Sequence, residues 1–325
     1  MVDATTRVTD RSTDRPADRV ADQPSAIAGF VDLLRLDEID VNLFRGWCHA
    51  GAPLRAFGGQ VAAQALVAAG RTVGPERQVH SLHGYFMRPG DPRRPLVYEV
   101  ERLRDGRSYA TRRVTAIQRG EAMFTLSASF KVPEESPDRQ RAVPLLPDPE
   151  LLPDPYADWA DAGSDGGSAA GPKGGGSGDY WTTTGRLTLD MRTVPHGSEA
   201  LPDRQAGVEE QFVWLKSASP LPGDDPLLHV CALAYLSDLT LASTAAMHLQ
   251  PPRSERKGPS TINLASLDHA MWFHRPFRAD EWLLFAQRSP SAGDGRGLAQ
   301  GEFYTRDGRL VASVVQEALV RLRRH

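Results

Sequence analysis

Two periodicities alternate along the chain. The stretch Phe57-Gly-Gly-Gln-Val-Ala-Ala-Gln-Ala-Leu-Val-Ala-Ala-Gly is rich in alanine, opens on a glycine pair and closes on Gly70. That pattern predicts a helix packed tightly on its neighbours. Three strand-like runs follow: Val79 to Met87, rich in aromatics, alternating Leu96 to Leu103, and Ser108 to Gln118, rich in threonine and valine. The turn at Arg104-Asp105-Gly106-Arg107 joins the last two as a hairpin, and Arg119-Gly120-Glu121 turns the chain again into Ala122 to Val132. Ahead of all this, Ile27 to Leu36 has helical apolar spacing, with Asp32 and Arg35 on its polar face.

The second half repeats the first. Tyr85-Phe86-Met87-Arg88-Pro89 is matched by Trp272-Phe273-His274-Arg275-Pro276, and Asp105-Gly106-Arg107 by Asp294-Gly295-Arg296. The turn at Arg119-Gly120 is matched by Arg306-Asp307-Gly308. All three matches fall at nearly one offset, so the domain is duplicated. The long apolar run Leu227 to Leu249 takes the place of the second central helix, with Leu236-Ser237-Asp238 set in register with Gly58-Gly59-Gln60. A helix followed by a meander of long antiparallel strands outlines a hot-dog domain. The expected fold is therefore α+β, a double hot-dog with two antiparallel sheets, each wrapped around a central helix. Residues 27–132 and 180–325 are the expected domains. Between them, 133–179 reads as a linker, crowded with prolines and then with glycine and serine. Residues 1–26 have almost nothing to bury and read as a disordered tail.

Composition narrows the function classes. The net charge of −3 gives no concentrated basic face, so no nucleic-acid partner is expected. The two cysteines, Cys48 and Cys231, lie far apart and outside any CxxC pattern, which fits buried free thiols in a reducing compartment. The tail lacks the apolar centre of a secretory signal, and no uncharged run reaches bilayer-spanning length. A cytoplasmic protein without membrane insertion is the expectation. No phosphate loop, nicotinamide fingerprint or metal spacing occurs, so no metal and no cofactor are expected.

Chemistry concentrates in the second half. Asp238 sits inside an apolar run, and an unpaired buried carboxylate costs several kcal/mol or shifts its pKa upward. Locally it reads either as a functional carboxylate or as a helix cap. Ser266 opens the strand-like run Ser266 to His274, where Asp268, His269 and His274 could share a face as parts of a Ser-His-Asp triad. No serine lies in a Gly-x-Ser-x-Gly elbow, which argues against a conventional serine esterase. Gln316, beside Glu317, interrupts an apolar strand and reads equally as a site residue or as solvent face.

Long segments resemble the acyl-CoA thioesterase II family. They are Phe57 to Leu66, His80-Ser-Leu-His-Gly-Tyr-Phe-Met-Arg-Pro-Gly-Asp91, Leu267-Asp-His-Ala-Met-Trp-Phe-His-Arg-Pro-Phe277, Gly301 to Thr305 and Val311 to Glu317. The similarity spans about residues 29 to 320. It implies hydrolysis of acyl-CoA thioesters without a covalent intermediate, on a unit that is usually oligomeric. It also implies a water held by Asp238, Ser266 and Gln316, with serine standing where many bacterial members have threonine. Gly59, Gln60, His83, Arg88, Arg107 and His269 are candidate substrate contacts, with Arg112 and Arg275 further candidates for the nucleotide end. The first half is expected to be catalytically silent, since Gln60 is no base. Three other readings remain: a non-catalytic acyl-CoA sensor; an enoyl-CoA hydratase, whose Gly-Asp-x-Asn-Pro-x-His setting is absent; and a serine hydrolase using Ser266 with His269 or His274, which would form an acyl-enzyme and show burst kinetics.

Overall fold

The computed structural model describes residues 29–48, 55–143, 146–154, 188–195, 209–249 and 262–322. The tail and the glycine-serine part of the linker lie outside these residues. The first half contains α1 (Phe30–Leu33), β1 (Leu36–Asp40), β2 (Leu43–Gly46), α2 (Gly58–Gly70), β3 (Gln78–Phe86), β4 (Leu96–Asp105), β5 (Tyr109–Gln118) and β6 (Glu121–Lys131). The second half contains β7 (Leu189–Thr193), β8 (Glu209–Ser217), α3 (Pro226–Ser237), α4 (Leu241–Thr244), β9 (Ile262–Ser266), β10 (Asp268–Phe273), β11 (Leu283–Gly293), β12 (Arg296–Thr305) and β13 (Leu310–Leu322).

The sheet runs β1-β2-β4-β5-β6-β3-β10-β13-β12-β11-β8-β7, with β9 also on β13. Read outward from its centre, each half has the same order, so the repeat seen in sequence is a repeat in space. The two sheets join edge to edge where β3 pairs with β10, Leu82 opposite Met271. Pairing those edges removes two exposed ladders and makes one continuous sheet around both helices. Of the matched turns, Arg119-Gly120 and its counterpart at Gly308 both use positive φ, whereas Asp294-Gly295 has positive φ and its counterpart Asp105-Gly106 does not.

The central helices pack against each other antiparallel. Every residue of α2 from Gly59 to Ala69 is buried, which its alanines allow by letting backbones come close. A Cβ on Gly59 would stand 2.7 Å from the Tyr235 carbonyl, and one on Gly70 2.3 Å from Leu227. The start of α2 therefore meets the end of α3.

Three expectations change. Of the helix read from Ile27 to Leu36, Ile27 and Ala28 lie outside the described residues, and among the rest it spans Phe30–Leu33, ending early because Leu36 already belongs to an edge strand with a single buried residue. The run Leu227 to Leu249, apolar enough to cross a membrane by length and composition, is largely buried and breaks at Asp238. The proline-rich part of the linker does more than connect. Val143, Leu146 and Leu152 cover Phe212, Trp214, Leu284 and Tyr304 on the outer face of the second half. Arg306 holds this strap through Asp148 and Glu150, and Trp214 Nε1 donates to the Pro147 carbonyl at 3.0 Å.

Candidate active site

A strand irregularity and a broken helix bring the site together. On β13, Val314, Gln316 and Ala318 alternate inward. Ala270 pairs with Val315 and Ser266 with Ala318, so four steps on one strand span three on the other. The extra residue is a bulge at Leu267. In an unbroken strand, residues three apart face opposite sides. The bulge turns both Ser266 and His269 toward Gln316. Gln316, fully buried, is therefore no part of a solvent face, whereas Glu317 points out and binds Arg296 at 3.1 Å.

Asp238 closes α3 as its C-cap, with φ −87° and ψ −3°. It is a cap by backbone position, but its buried side chain turns into the site. Its Oδ1 accepts from Gln316 Nε2 at 2.9 Å and from Ser266 Oγ at 3.1 Å. Gln316 Nε2 also donates to Ser266 Oγ at 2.5 Å. The three residues singled out in the sequence thus form one closed hydrogen-bonded group.

The first half completes it. Gly58 opens α2 while Asp238 closes α3, so the register that matched Gly58-Gly59-Gln60 with Leu236-Ser237-Asp238 is corrected. Helix for helix, Asp238 corresponds to Arg71, the C-cap of α2. The glycine pair instead faces Asp238 across the antiparallel contact. A Cβ on Gly58 would stand 2.8 Å from Asp238 Oδ2. The Gly59 N–H donates to the Asp238 carboxylate. The two helix starts also differ. Asp225 caps α3 by accepting from the Leu228 N–H, and Pro226 lacks an N–H. No side chain caps α2, and the Gly59 N–H of its first turn is the one that reaches Asp238. The first half, expected to be catalytically silent and to supply walls of the site, reaches the group through the Gly59 N–H.

Burial pushes the Asp238 pKa above the usual carboxylate range, and the His269 imidazolium form, Gln316, Ser266 and Gly59 pull it back only in part. Its place at a helix C-terminus acts in the same direction as burial, while the start of α2 opposes both. A carboxylate raised in this way is a better proton acceptor than an exposed one. Since only the ionised form is a base, kcat/KM for water-dependent chemistry is expected to fall with decreasing pH through a midpoint above 3.8. A pH–rate profile checks this, and Ser266→Ala, which removes a bond that pulls the pKa down, should keep that acidic limb and move it to higher pH. Gly59→Ala is expected to lower kcat at least about tenfold and stability by about 1–3 kcal/mol, because the new methyl meets the Tyr235 carbonyl. Kinetics and a thermal melt on one preparation measure both.

The remaining candidates fall in other places. Gln60 donates to the carbonyls of Leu33 and Trp47 at 3.0 and 3.1 Å. His83 lies on the outer face of the sheet, edge-on to Trp272 at 5.2 Å. Arg88 is exposed, donates to the Ala122 carbonyl at 2.8 Å and pairs with Glu121. Arg107 is exposed in the turn between β4 and β5, where its carbonyl accepts from Arg77. Arg112 is buried in a structural network, and Arg275 is bound to Asp138 and to the Leu310 carbonyl. Asp268, His269 and His274 do not form a triad. Asp268 accepts from the Glu317 N–H, His274 meets Ser313, and His269 points inward to Gln316. The sequence reading missed Ser237, whose Oγ lies 2.8 Å from His269 Nε2.

This arrangement has known relatives. The family pattern described as "Acyl-CoA thioesterase" matches residues 199–319, and that of "Acyl-CoA thioesterase N-terminal domain" matches 44–131. Acyl-coenzyme A thioesterase 8 of Mus musculus is 38% identical over 295 residues, covering 90% of this chain and 88% of the mouse protein. The chain belongs to the acyl-CoA thioesterase family. Acyl-CoA thioesterase 2 of Haemophilus influenzae is 35% identical over 291 residues, covering 90% of this thioesterase and 96% of its own length. The crystal structure of an acyl-CoA thioesterase II from Mycobacterium marinum superposes with a TM-score of 0.72 at 44% identity, over 90% of this chain and 98% of the other. A hot-dog protein from Alicyclobacillus acidocaldarius, at 23% identity and a TM-score of 0.64, shares the fold.

Proposed function

We propose that this thioesterase hydrolyses fatty acyl-CoA by direct attack of a water that Asp238 deprotonates and that Ser266 and Gln316 help to hold. One observation carries the reading: a buried carboxylate, raised above its usual range, meets only hydrogen-bond donors, and they come from both halves. Water oxygen bonds to the thioester carbon as one of its protons passes to Asp238. The positive end of the α2 dipole, which faces Asp238 at Gly58 and Gly59, favours negative charge on the carbonyl oxygen. The carbon–sulfur bond then breaks, CoA leaves as thiolate and takes up a proton, and the free acid and Asp238 carboxylate remain. The Ser266 hydroxyl donates to Asp238 and accepts from Gln316, while His269 and His274 bond other residues, so the Ser-His pair of an acyl-serine mechanism is not formed and a water nucleophile is favoured.

The relatives named as acyl-CoA thioesterases support an acyl-CoA substrate, and a fatty acyl chain is the acyl group proposed. We further propose an oligomer of the double hot-dog unit working in the cytoplasm. The test is release of free thiol from acyl-CoAs of graded chain length. Hydrolysis with a chain-length optimum is expected. Binding without thiol release would instead establish the sensor reading.

A further inference from the structure

The hydrogen-bonded group does not end at Gln316. An ionised carboxylate only accepts, so the Gln316 atom 2.9 Å from Asp238 must be its amide nitrogen. The amide oxygen is then the atom 3.0 Å from His269 Nδ1, and that nitrogen must carry a proton. In a neutral imidazole this leaves Nε2 as an acceptor, so the single Ser237 proton, which lies within reach of Nε2 at 2.8 Å and of the Ala234 carbonyl at 2.9 Å, goes to Nε2. Ser237 and Gln316 are fully buried, and His269 is 1% exposed. Every donor in the chain Ser237, His269, Gln316 points the same way, toward Asp238. Desolvation of the ring disfavours the imidazolium, in keeping with the neutral form.

Resting on the proposed water mechanism, we propose that His269 is a positioning residue that fixes which end of the Gln316 amide faces Asp238 and Ser266. The two ends of an amide have the same shape, so packing alone does not choose between them. While Asp238 is ionised, its charge favours the nitrogen. Once Asp238 has taken the proton from water it becomes a donor, and a turned amide would accept from it and hold the proton there. The Nδ1–H of His269 on Oε1 opposes that turn at each stage. His269 thus supports turnover from behind Gln316 and touches neither water nor substrate.

The test compares three substitutions with wild type. Asn places an N–H near the Nδ1 position, Gln reaches past it toward Ser237, and Leu offers no donor. His269→Asn is expected to keep kcat within about threefold of wild type. His269→Gln and His269→Leu are expected to lose about tenfold or more, with KM changed less than twofold. Thermal melts of the three confirm a common fold, and the Asn-to-Gln contrast stands even if the Leu variant does not fold. In ¹⁵N-histidine-labelled wild type, the resonances removed by His269→Asn should belong to the Nδ1–H tautomer. Equal kcat for the Asn and Gln variants, or an Nε2–H tautomer, overturns the proposal while leaving wild-type hydrolysis intact. Absence of wild-type hydrolysis would instead refute the mechanism on which it rests.

Discussion

Asp238→Asn is expected to lower kcat by about 10²–10⁴-fold, the usual contribution of a positioned base, and to leave the protein at least as stable at pH 7. The two effects share a cause. Burial raises the folded-state pKa of Asp238 above the unfolded value of 3.8. A group shifted upward adds stability below its unfolded pKa and loses that contribution as pH rises through the folded value. At neutral pH the ionised carboxylate is therefore a net cost to the fold. Asparagine removes the charge and keeps an Oδ1 that can accept from Gln316 and Ser266 as the carboxylate does. Other carboxylates titrate alike in both proteins, so the difference in Tm, variant minus wild type, isolates this residue. It should grow as the pH is raised from 4 to 7. A difference that shrinks over that range would mean that Asp238 is stabilised as an anion and is a structural ion rather than a strained base.

Arg112→Met is expected to act in the opposite way, lowering Tm by about 4–5 °C with kcat and KM unchanged per folded molecule. Arg112 is 1% exposed and uses all five of its N–H donors. Nε and Nη2 bind the hydroxyl and carbonyl of Thr72, just past the end of α2, at 2.8 and 2.9 Å. Nη1 binds the carbonyls of Arg104 and Thr111, each at 3.0 Å, and Nη2 also reaches Asp105 at 2.6 Å. Removal leaves several buried acceptors without donors, each costing about 1–3 kcal/mol if unmet. A net loss of about 3 kcal/mol, after partial relaxation, gives the stated Tm shift for a protein of this size. Lysine should rescue little, because its compact ammonium cannot match the planar fork. A raised KM for acyl-CoA at unchanged Tm would restore Arg112 to the nucleotide-binding set.

The sheet was legible because its strands carry their own signals. β4 to β6 alternate, and their turns show Asp-Gly or Arg-Gly at positions that need positive φ or a tight reversal. The repeat was legible for the same reason. Edge strands such as β1, with one buried residue of five, alternate too little to be recognised. The three residues of the site could be named because the resemblance pointed to them. Local chemistry alone left Asp238 between base and cap, and Gln316 between site and surface. Their convergence depends on the bulge at Leu267 and on the break after Ser237, and both are set by tertiary pairing. The role of the glycine pair depends on the antiparallel crossing of α2 and α3, which inverts the register that an alignment of the halves suggests. Ser237 carried no signal, since a serine in an apolar helix usually bonds back to its own backbone, and this one also lies 2.9 Å from the Ala234 carbonyl.

Direct attack by water is tested most sharply by a single turnover in H₂¹⁸O with enzyme in excess over acyl-CoA, weighing both the acid and the protein. The first acid released should carry one ¹⁸O, and the protein mass should not change at any time. An acyl adduct on the protein, or unlabelled acid with the label left in a carboxylate of the enzyme, would contradict the account.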